Sequence, residues 1–136
     1  MVDVEELQSR HRELTTALWN DVGLTRPWND PLHDFDRAAA GATSAVLGLM
    51  KGDELWATAM VGHDGHRGWV YYLAVAPAHQ RQGLGARLMR AAEEWLRARG
   101  AVKVQVMVRH TNDSVGTFYE AIGYEVADVA VLARWL

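Results

Sequence analysis

The sequence contains no cysteine. This absence excludes disulfide bonds, thiolate zinc sites, iron–sulfur ligation and cysteine nucleophiles, so any chemistry must use other side chains or the backbone. A chain without cysteine suits a reducing compartment, and we expect a cytoplasmic location. The sequence also lacks a signal-type start and any apolar run of membrane-spanning length, so we expect no membrane partner.

Basic charge is scarce as well, since 14 Lys and Arg stand against 17 Asp and Glu and give a formal net charge of −3. A nucleic-acid binder normally has a basic excess concentrated on one face, so we expect no nucleic-acid partner. Internal repeats and low-complexity linkers are missing too. With 136 residues, of which 49% are hydrophobic, we predict a single compact domain over residues 1–136.

The N-terminal segment has the periodicity of a helix. Asp3 and Glu6 resemble a capping pair, and apolar positions recur at three- and four-residue steps as far as Leu18. The pattern predicts an amphipathic helix from about Val4 to near Gly23. On this prediction, the first strand of the sheet follows the N-terminal helices.

Two prolines, Pro27 and Pro31, interrupt the helical pattern that follows. A helix cannot continue through them, so the sequence predicts a structured loop. Asn29 or Asp30 is placed to cap a second helix over residues 32–40.

Three apolar segments predict strands at residues 45–50, 55–61 and 69–75. The first two are joined by a glycine-containing turn around Gly52 and read as a hairpin. The third is continuously apolar and rich in aromatic and β-branched residues, which indicates a central strand that is covered on both faces. Pro77 ends it.

The C-terminal half continues with alternating elements. Residues 85–99 carry an apolar stripe opposite a charged one and predict a long helix that Gly100 stops. Alternating valines predict a strand over 102–108, parallel to the central strand because a crossover helix joins them. Asn112 begins a short helix that Gly123 closes, and residues 124–136 predict one or two final strands. The fold class is therefore α/β (α+β), with a mixed central sheet and helices on both faces.

One short block carries a specific chemical signal. Gly83 and Gly85 lie where the central strand leads into the long helix, and the first N–H groups of a helix have no intrahelical partner. Glycines let phosphate oxygens approach this backbone, and the helix dipole favours an anion at the same end. Taken alone, the turn is equally well explained by glycine geometry at a strand-to-helix corner. It is not a Walker loop, because no Lys-Ser or Lys-Thr follows, and it lacks the third glycine of a dinucleotide fold.

In its wider context this block resembles the signature of the GNAT (Gcn5-related N-acetyltransferase) superfamily, in which a strand leads through [Gln/Arg]-x-x-Gly-x-[Gly/Ala] into a helix. Gln80, Gly83 and Gly85 occupy those positions. The residues before Pro77 are similar to the end of the family's fourth strand, and the segment from Asn112 to Tyr124 is similar to its later helix. The resemblance spans roughly residues 47–131 and implies a GNAT-like fold with a splayed pair of parallel strands.

The chain departs from this family at its start. Family members usually begin with a β-strand, whereas the pattern here predicts a helix by about Val4, so we expect the first strand to be missing or vestigial. An uncovered sheet edge invites pairing with a second copy, which makes a homodimer possible.

The resemblance implies acetyl-CoA as co-substrate and no metal. In the family, pantetheine pairs with the central strand and the pyrophosphate lies on the glycine turn. Carried over by position, the cofactor-binding residues are Leu73, Ala74, Val75, Gln80, Arg81, Gln82, Gly83, Leu84, Gly85, Ala86 and Asn112. For Asn112, the sequence favours helix capping as the sole role.

The family pattern implies that Tyr119 is the catalytic acid that assists the departing thiolate. Its alternative role is that of a half-buried aromatic side chain beside Phe118. The general base stays open, since no spacing selects among five candidates, which are His63, Asp64, His66, Asp30 and Asp34. Trp28, Asn29 and Asp30 are candidates for the wall of the acceptor pocket.

The sequence therefore predicts an N-acetyltransferase that moves the acetyl group of acetyl-CoA to a primary amine, on a small molecule or a peptide, by direct attack in a ternary complex. The alternative is a catalytically inactive acyl-CoA-binding sensor or interaction module of the same fold. A third possibility is a domain whose glycine turn is only structural. The identity of the acceptor amine does not follow from the sequence.

Overall fold

The computed structural model describes residues 3–136 and divides into two compact units, the first ending at Val106 and the second running from Met107 to Leu136. The prediction of one domain over 1–136 stays a prediction. The elements of the first unit are β1 (Val4–Glu6), α1 (Arg12–Asp21), α2 (Pro31–Ala40), β2 (Ser44–Lys51), β3 (Glu54–His63), β4 (Gly68–Val75), α3 (Leu84–Ala98) and β5 (Val104–Val106). The second unit contains α4 (Asp113–Ala121).

The five strands form one mixed sheet in the order β1-β2-β3-β4-β5. β1 through β4 pair antiparallel, and β4 pairs parallel with β5. The α/β fold class, the β2–β3 hairpin and the parallel crossover through α3 are thus confirmed. The last strand is shorter than predicted, because Val102 is 84% exposed and only Val104–Val106 pairs with β4.

The predicted helix start at Val4 is wrong. Val4–Glu6 pairs with β2 as a three-residue strand, and a 3-10 helix at Ser9–His11 precedes α1. The reason is a close fit, since Leu7 is buried and its side chain lies over Gly48, where a Cβ would come within 2.7 Å of it. The first strand is therefore present but short, and this segment belongs to the sheet edge.

Helices cover both faces of the sheet. Five consecutive residues of β2 are buried, which requires packing on either side of the strand. On one face, Trp19 of α1 and Phe35 of α2 pack with Val46, while α3 packs against β2, β3 and β4. None of the helices described for residues 3–136 combines the length and apolarity that a membrane crossing requires.

A β-bulge interrupts β4. Thr58 pairs with Ala74 and Met60 pairs with Tyr71, so β4 carries one residue more than β3 in this interval. Tyr72 lies in the bulge with a left-handed backbone (φ 52°). An extra residue in a strand reverses the side-chain alternation beyond it. Accordingly Gly68 faces Leu96 of α3. Tyr72 and Ala74 instead face the other side of the sheet, where they pack with the apolar cluster that contains Trp19 of α1 and Phe35 of α2.

The second unit departs from the sequence prediction in two places. α4 begins after Asn112 as predicted, but the Asn112 side chain does not cap it, and its Oδ1 instead accepts a hydrogen bond from the Ser114 hydroxyl (3.2 Å). Residues 124–136 form no strand, and Val126, Leu132 and other apolar side chains there are exposed. Alternating apolar residues form a strand only where a partner strand pairs with them, and none does here.

The close approach of α3 to β4 yields a stability prediction. A Cβ at Gly68 would lie 2.5 Å from Leu96 Cδ1, and Leu96 is fully packed. We expect Gly68→Ala to lower the free energy of unfolding by about 1–3 kcal/mol. Gly116→Ala is the matched control, since no atom lies within 4 Å of its added Cβ. It should raise stability by about 0.5–1 kcal/mol, because alanine favours a helix interior. Urea unfolding measures both, and equal changes would contradict the packing argument.

Candidate functional site

The first part of the candidate site is an unpaired edge of β4. Pairing with β5 ends at Val70, and β4 continues to Val75. Ala76 N–H donates to the carbonyl of Trp56 in β3 (2.8 Å). Because backbone groups of successive residues point to opposite edges of a strand, those of Val75 and Leu73 point away from β3. This stretch therefore offers peptide donors and acceptors to a ligand on its β5 side.

The strand leads into a turn with unusual backbone geometry. Arg81 is left-handed (φ 65°) and Gly83, the residue before α3, is left-handed as well (φ 76°). Arg81 and Tyr72 are the two non-glycine residues with positive φ between residues 3 and 136. Such conformations cost about 1–3 kcal/mol each and concentrate at functional sites. Tyr72 directly precedes the segment that the sequence predicts to bind a cofactor, and Arg81 lies within it.

The first N–H groups of α3 have no acceptor within the helix. The first intrahelical bond joins Arg87 N–H to the carbonyl of Gly83 (3.1 Å), so the N–H groups of Leu84, Gly85 and Ala86 have no intrahelical acceptor. The first turn contains no acidic residue, and Gly83 has no side chain to cap it. The N-terminus of this 15-residue helix is suited to a phosphate anion, because its first N–H groups lack an intrahelical acceptor and the helix dipole is favourable there.

Gln80 connects the turn with the strand. Its Nε2 donates to the Val75 carbonyl (3.2 Å), a group on the open edge of β4. Behind it, His79 stacks on Trp56 of β3 with ring centroids 4.0 Å apart, and Glu54 lies 3.8 Å from the same imidazole. The sequence analysis did not identify this stack, which fixes the approach to the turn. The sequence signal for this stack is weak, because neither His79 nor Trp56 lies in the glycine-turn motif that begins at Gln80.

The remaining predicted site residues, Asn112 and Tyr119, belong to the second unit. Asn112 precedes α4, and Tyr119 lies on that helix. The Tyr119 ring is 8% exposed and contacts Phe118 edge-on (5.1 Å) and Tyr124 (5.6 Å). Burial raises the pKa of Tyr119 to about 12, so its phenol carries a proton throughout the neutral range.

Two of the five candidate bases have structural roles. Asp30 caps α2, since its Oδ1 accepts hydrogen bonds from the N–H groups of Leu32 (3.1 Å) and His33 (3.4 Å). Asp64 closes the turn before β4 in the same manner, and backbone hydrogen bonds from Arg67 and His66 hold the pKa of its carboxyl below the usual value. The prediction of Asp30 as a helix cap is confirmed, whereas Asn29 does not cap α2.

The other candidates differ in their surroundings. His63 ends β3 and its ring lies 6.3 Å from that of Trp95, and His66 is an exposed turn residue. Asp34 is partly buried on α2, and its Oδ2 accepts a hydrogen bond from the Tyr72 hydroxyl (2.7 Å). In the sequence, Tyr72 is one position of the predicted central strand over 69–75, because only strand pairing reveals the bulge.

The geometry is supported by a comparison with protein families. Residues 4–124 match the model of the acetyltransferase (GNAT) family. The match covers most of the chain and begins at β1, which the sequence analysis had expected to be missing or vestigial. It confirms the family resemblance carried by Gln80, Gly83 and Gly85.

Solved structures share the fold at low sequence identity. The aminoglycoside N-acetyltransferase AAC(6')-Iy, in complex with the bisubstrate analogue CoA-S-monomethyl-acetylneamine, has a TM-score of 0.84 at 15% identity, over 100% of this chain and 99% of that one. An aminoglycoside acetyltransferase from an uncultured soil metagenomic sample, in complex with sisomicin, has a TM-score of 0.81 at 16% identity, over 99% and 95%. The ribosomal-protein-alanine N-acetyltransferase of Brucella melitensis biovar Abortus 2308 has a TM-score of 0.79 at 17% identity, over 99% and 100%.

The raised pKa of Tyr119 predicts a specific loss of stability in base. An unfolded tyrosine releases its proton near pH 10.0 and Tyr119 near 12, so the stabilisation is complete below pH 10 and is lost as pH rises through 12. We expect the unfolding free energy of the wild type to fall by about 2–3 kcal/mol relative to that of Tyr119→Phe across this window. Denaturant titrations at pH 9 to 12.5 measure it. A difference that stays constant with pH would contradict the burial of the phenol.

Proposed function

Because this chain belongs to the acetyltransferase (GNAT) family, we propose that it moves the acetyl group of acetyl-CoA to a primary amine by direct attack in a ternary complex. Membership makes it an acetyl-CoA-dependent acyltransferase. The observation that carries the proposal is the continuity of two features. The open edge of Leu73–Val75 leads directly into the N–H groups of Leu84, Gly85 and Ala86, which have no intrahelical acceptor.

Acetyl-CoA has two chemical parts that match these features. Its pantetheine arm contains amides, which pair with an open strand edge as a further strand would. Its pyrophosphate suits the α3 N-terminus, where Arg81 adds a positive charge beside the glycine turn. We therefore assign the segment Leu73, Ala74 and Val75 to the arm, with the hydrogen bonds at Leu73 and Val75, and residues 80–86 to the pyrophosphate. Asn112 stays a proposed contact from the second unit.

The acceptor ammonium loses a proton to a base or to solvent, because only the neutral amine has a lone pair for attack. Its nitrogen forms a bond with the thioester carbonyl carbon, and a backbone N–H of the open strand stabilises the negative charge that develops on the carbonyl oxygen. The carbon–sulfur bond then breaks, its electron pair goes to sulfur, and the nitrogen releases its second proton. The products are an amide and CoA.

Tyr119 is proposed to assist the departing sulfur. Its phenol, with a pKa of about 12, is a weaker acid than a thiol of pKa about 8.5. Full proton transfer from Tyr119 to the thiolate is therefore uphill. Its contribution is hydrogen-bond donation to the developing thiolate, and solvent supplies the proton that CoA finally carries.

Other features support the finer parts of the proposal. Two of the similar structures are named as aminoglycoside acetyltransferases, and aminoglycosides carry several amines. A cytoplasmic location fits a chain without cysteine. A homodimer is supported by the three-residue β1 at the edge of the sheet, which leaves an outer row of backbone groups for a second copy.

Calorimetric titration with acetyl-CoA and with CoA tests the proposal, together with detection of thiol release in the presence of amine panels. We expect binding in the micromolar range and transfer to at least one amine. Tight binding without transfer to any polyamine, amino acid, aminoglycoside or peptide N-terminus would favour the inactive sensor. A wild-type protein that binds neither ligand would rule out both functions.

Substitution in the glycine turn gives a sharper prediction. Gly83→Ala forces a side chain into a left-handed position (φ 76°) at the proposed pyrophosphate site. We expect the Kd for acetyl-CoA to rise about tenfold or more, which is about 1.4 kcal/mol. Gly65→Ala is the matched control, because Gly65 has a similar φ (87°) and equally open surroundings but lies in another turn. Calorimetry on both should show weaker binding only for Gly83→Ala. Equal losses would mean that backbone strain, not the anion site, is responsible.

Tyr119→Phe tests the role of the phenol. The loss of a hydrogen bond to a charged sulfur corresponds to a decrease in kcat of about 10- to 100-fold. The Kd for acetyl-CoA should change little, because the ring and its packing are retained. Steady-state kinetics and calorimetry separate the two effects, and an unchanged kcat would remove Tyr119 from the mechanism.

A further inference from the structure

Asp34 and Tyr72 form a carboxylate–phenol pair that the reaction described above does not use. Tyr72 Oη donates to Asp34 Oδ2 at 2.7 Å, which joins α2 to the bulge of β4. Burial and this hydrogen bond raise the pKa of the Tyr72 phenol well above its ordinary value, so the phenol stays a donor. In the chain, Tyr72 directly precedes Leu73, where the open edge of β4 begins.

The orientation of Tyr72 is fixed from three directions. Its ring stacks on Trp19, with centroids 3.9 Å apart and an interplanar angle of 12°. Its carbonyl accepts a hydrogen bond from Thr58 Oγ1 (3.1 Å), and the same hydroxyl accepts one from Trp19 Nε1 (3.0 Å). Trp19 and Thr58 are fully buried. The Tyr72 hydroxyl, and with it Asp34, is therefore held in one place, as a recognition group requires.

The charge on Asp34 has no protein counterpart in its own unit. Within residues 3–106 no Lys, Arg or His forms an ion pair with it, whereas Asp36 on the same helix pairs with Arg12 (3.1 Å). The phenol donates to Oδ2 and carries no charge, so this hydrogen bond does not neutralise the carboxylate of Asp34. A partly desolvated carboxylate gains from a cation, and an alkylammonium offers both charge and N–H donors.

An ammonium group bound by Asp34 cannot be the amine that attacks the thioester. A carboxylate in contact with an ammonium stabilises its protonated form and raises its pKa, which suppresses the neutral amine that attack requires. The contact is therefore productive only at an amino group that does not react.

We propose that Asp34, positioned by Tyr72, binds a second ammonium group of the acceptor, so that the preferred substrates carry at least two amines. The inference rests on the proposed function and specifies its substrate class. Asp34 is a specificity residue of the acceptor site, and Tyr72 is its positioning residue. Monoamines and peptide N-termini without a nearby second cation lack this contact.

The test compares diamines from diaminopropane to diaminohexane with monoamines of the same carbon number. For wild type at saturating acetyl-CoA, we expect kcat/KM for the best diamine to exceed that of its matched monoamine by about 10- to 100-fold, the range of one charge-assisted hydrogen bond. The difference should lie mainly in KM. Titration of the CoA-loaded protein with the same amines measures the preference without turnover.

Four variants separate the contributions. Asp34→Asn should abolish the diamine preference, and Tyr72→Phe, which keeps the ring stack, should reduce it by about 3- to 10-fold. Asp36→Asn removes the same charge from the same helix and should keep the wild-type preference. Thermal unfolding confirms that each variant is folded, and Asp34→Glu, which retains the charge, should recover part of the preference if Asp34→Asn is unstable.

The outcomes distinguish this inference from the proposed function. Acetyl-CoA binding with equal use of diamines and monoamines would overturn the role of Asp34 and leave the acetyltransferase proposal intact. The same holds if Asp36→Asn loses the preference as completely as Asp34→Asn, because the effect would then be general electrostatics. A protein that does not bind acetyl-CoA would overturn both. A preference lost only with Asp34→Asn and weakened with Tyr72→Phe supports the proposal.

Discussion

The extra residue in β4 is the constraint on which the candidate site depends. Without it, side chains would alternate regularly along the strand, and Tyr72 and Ala74 would face α3 as Gly68 does. With it, β4 changes the face that it presents at the point where its pairing with β5 ends. β4 thereby hydrogen-bonds to β3 along one edge, while beyond Val70 the peptide groups on its other edge are not paired with β5. An open strand edge is usually a liability, and here it leads to the glycine turn at which we propose that the pyrophosphate binds.

This arrangement is costly and needs support from its surroundings. A left-handed tyrosine costs about 1–3 kcal/mol, and the bulge also forgoes regular pairing. A stacked aromatic pair contributes about 0.5–1.5 kcal/mol beyond its burial, and each buried hydrogen bond contributes about as much. Trp19, Thr58 and Asp34 together supply one stack and two hydrogen bonds to Tyr72. The contacts are therefore of the size needed to hold the strained residue in place.

The parts of the fold that sequence could predict are those set by local chemistry. Asp30 before Pro31 marks the start of α2, and Gly83 marks the glycine turn before α3. Both features depend only on residues a few positions away in the sequence. The errors concern pairing. Val4–Glu6 reads as a helix until β2 is beside it, and residues 124–136 read as strands although no strand pairs with them. Tyr72 lies in an apolar run whose bulge exists only in relation to β3, so no pattern in the run itself identifies it.

Backbone and side chains divide the work at this site. The proposed cofactor contacts are mainly peptide groups of β4 and α3, which any sequence that folds this way can supply. That is consistent with TM-scores of about 0.8 at 15–17% identity to GNAT acetyltransferases. The acceptor, by contrast, must be selected by side chains, which depend directly on the sequence. Tyr72 links the proposed cofactor site to the proposed acceptor site, since it lies in the bulge next to the open edge of β4 and also donates a hydrogen bond to Asp34. A change of acceptor preference at Asp34 therefore need not disturb the cofactor edge, whereas a change that removes the Tyr72 ring affects both.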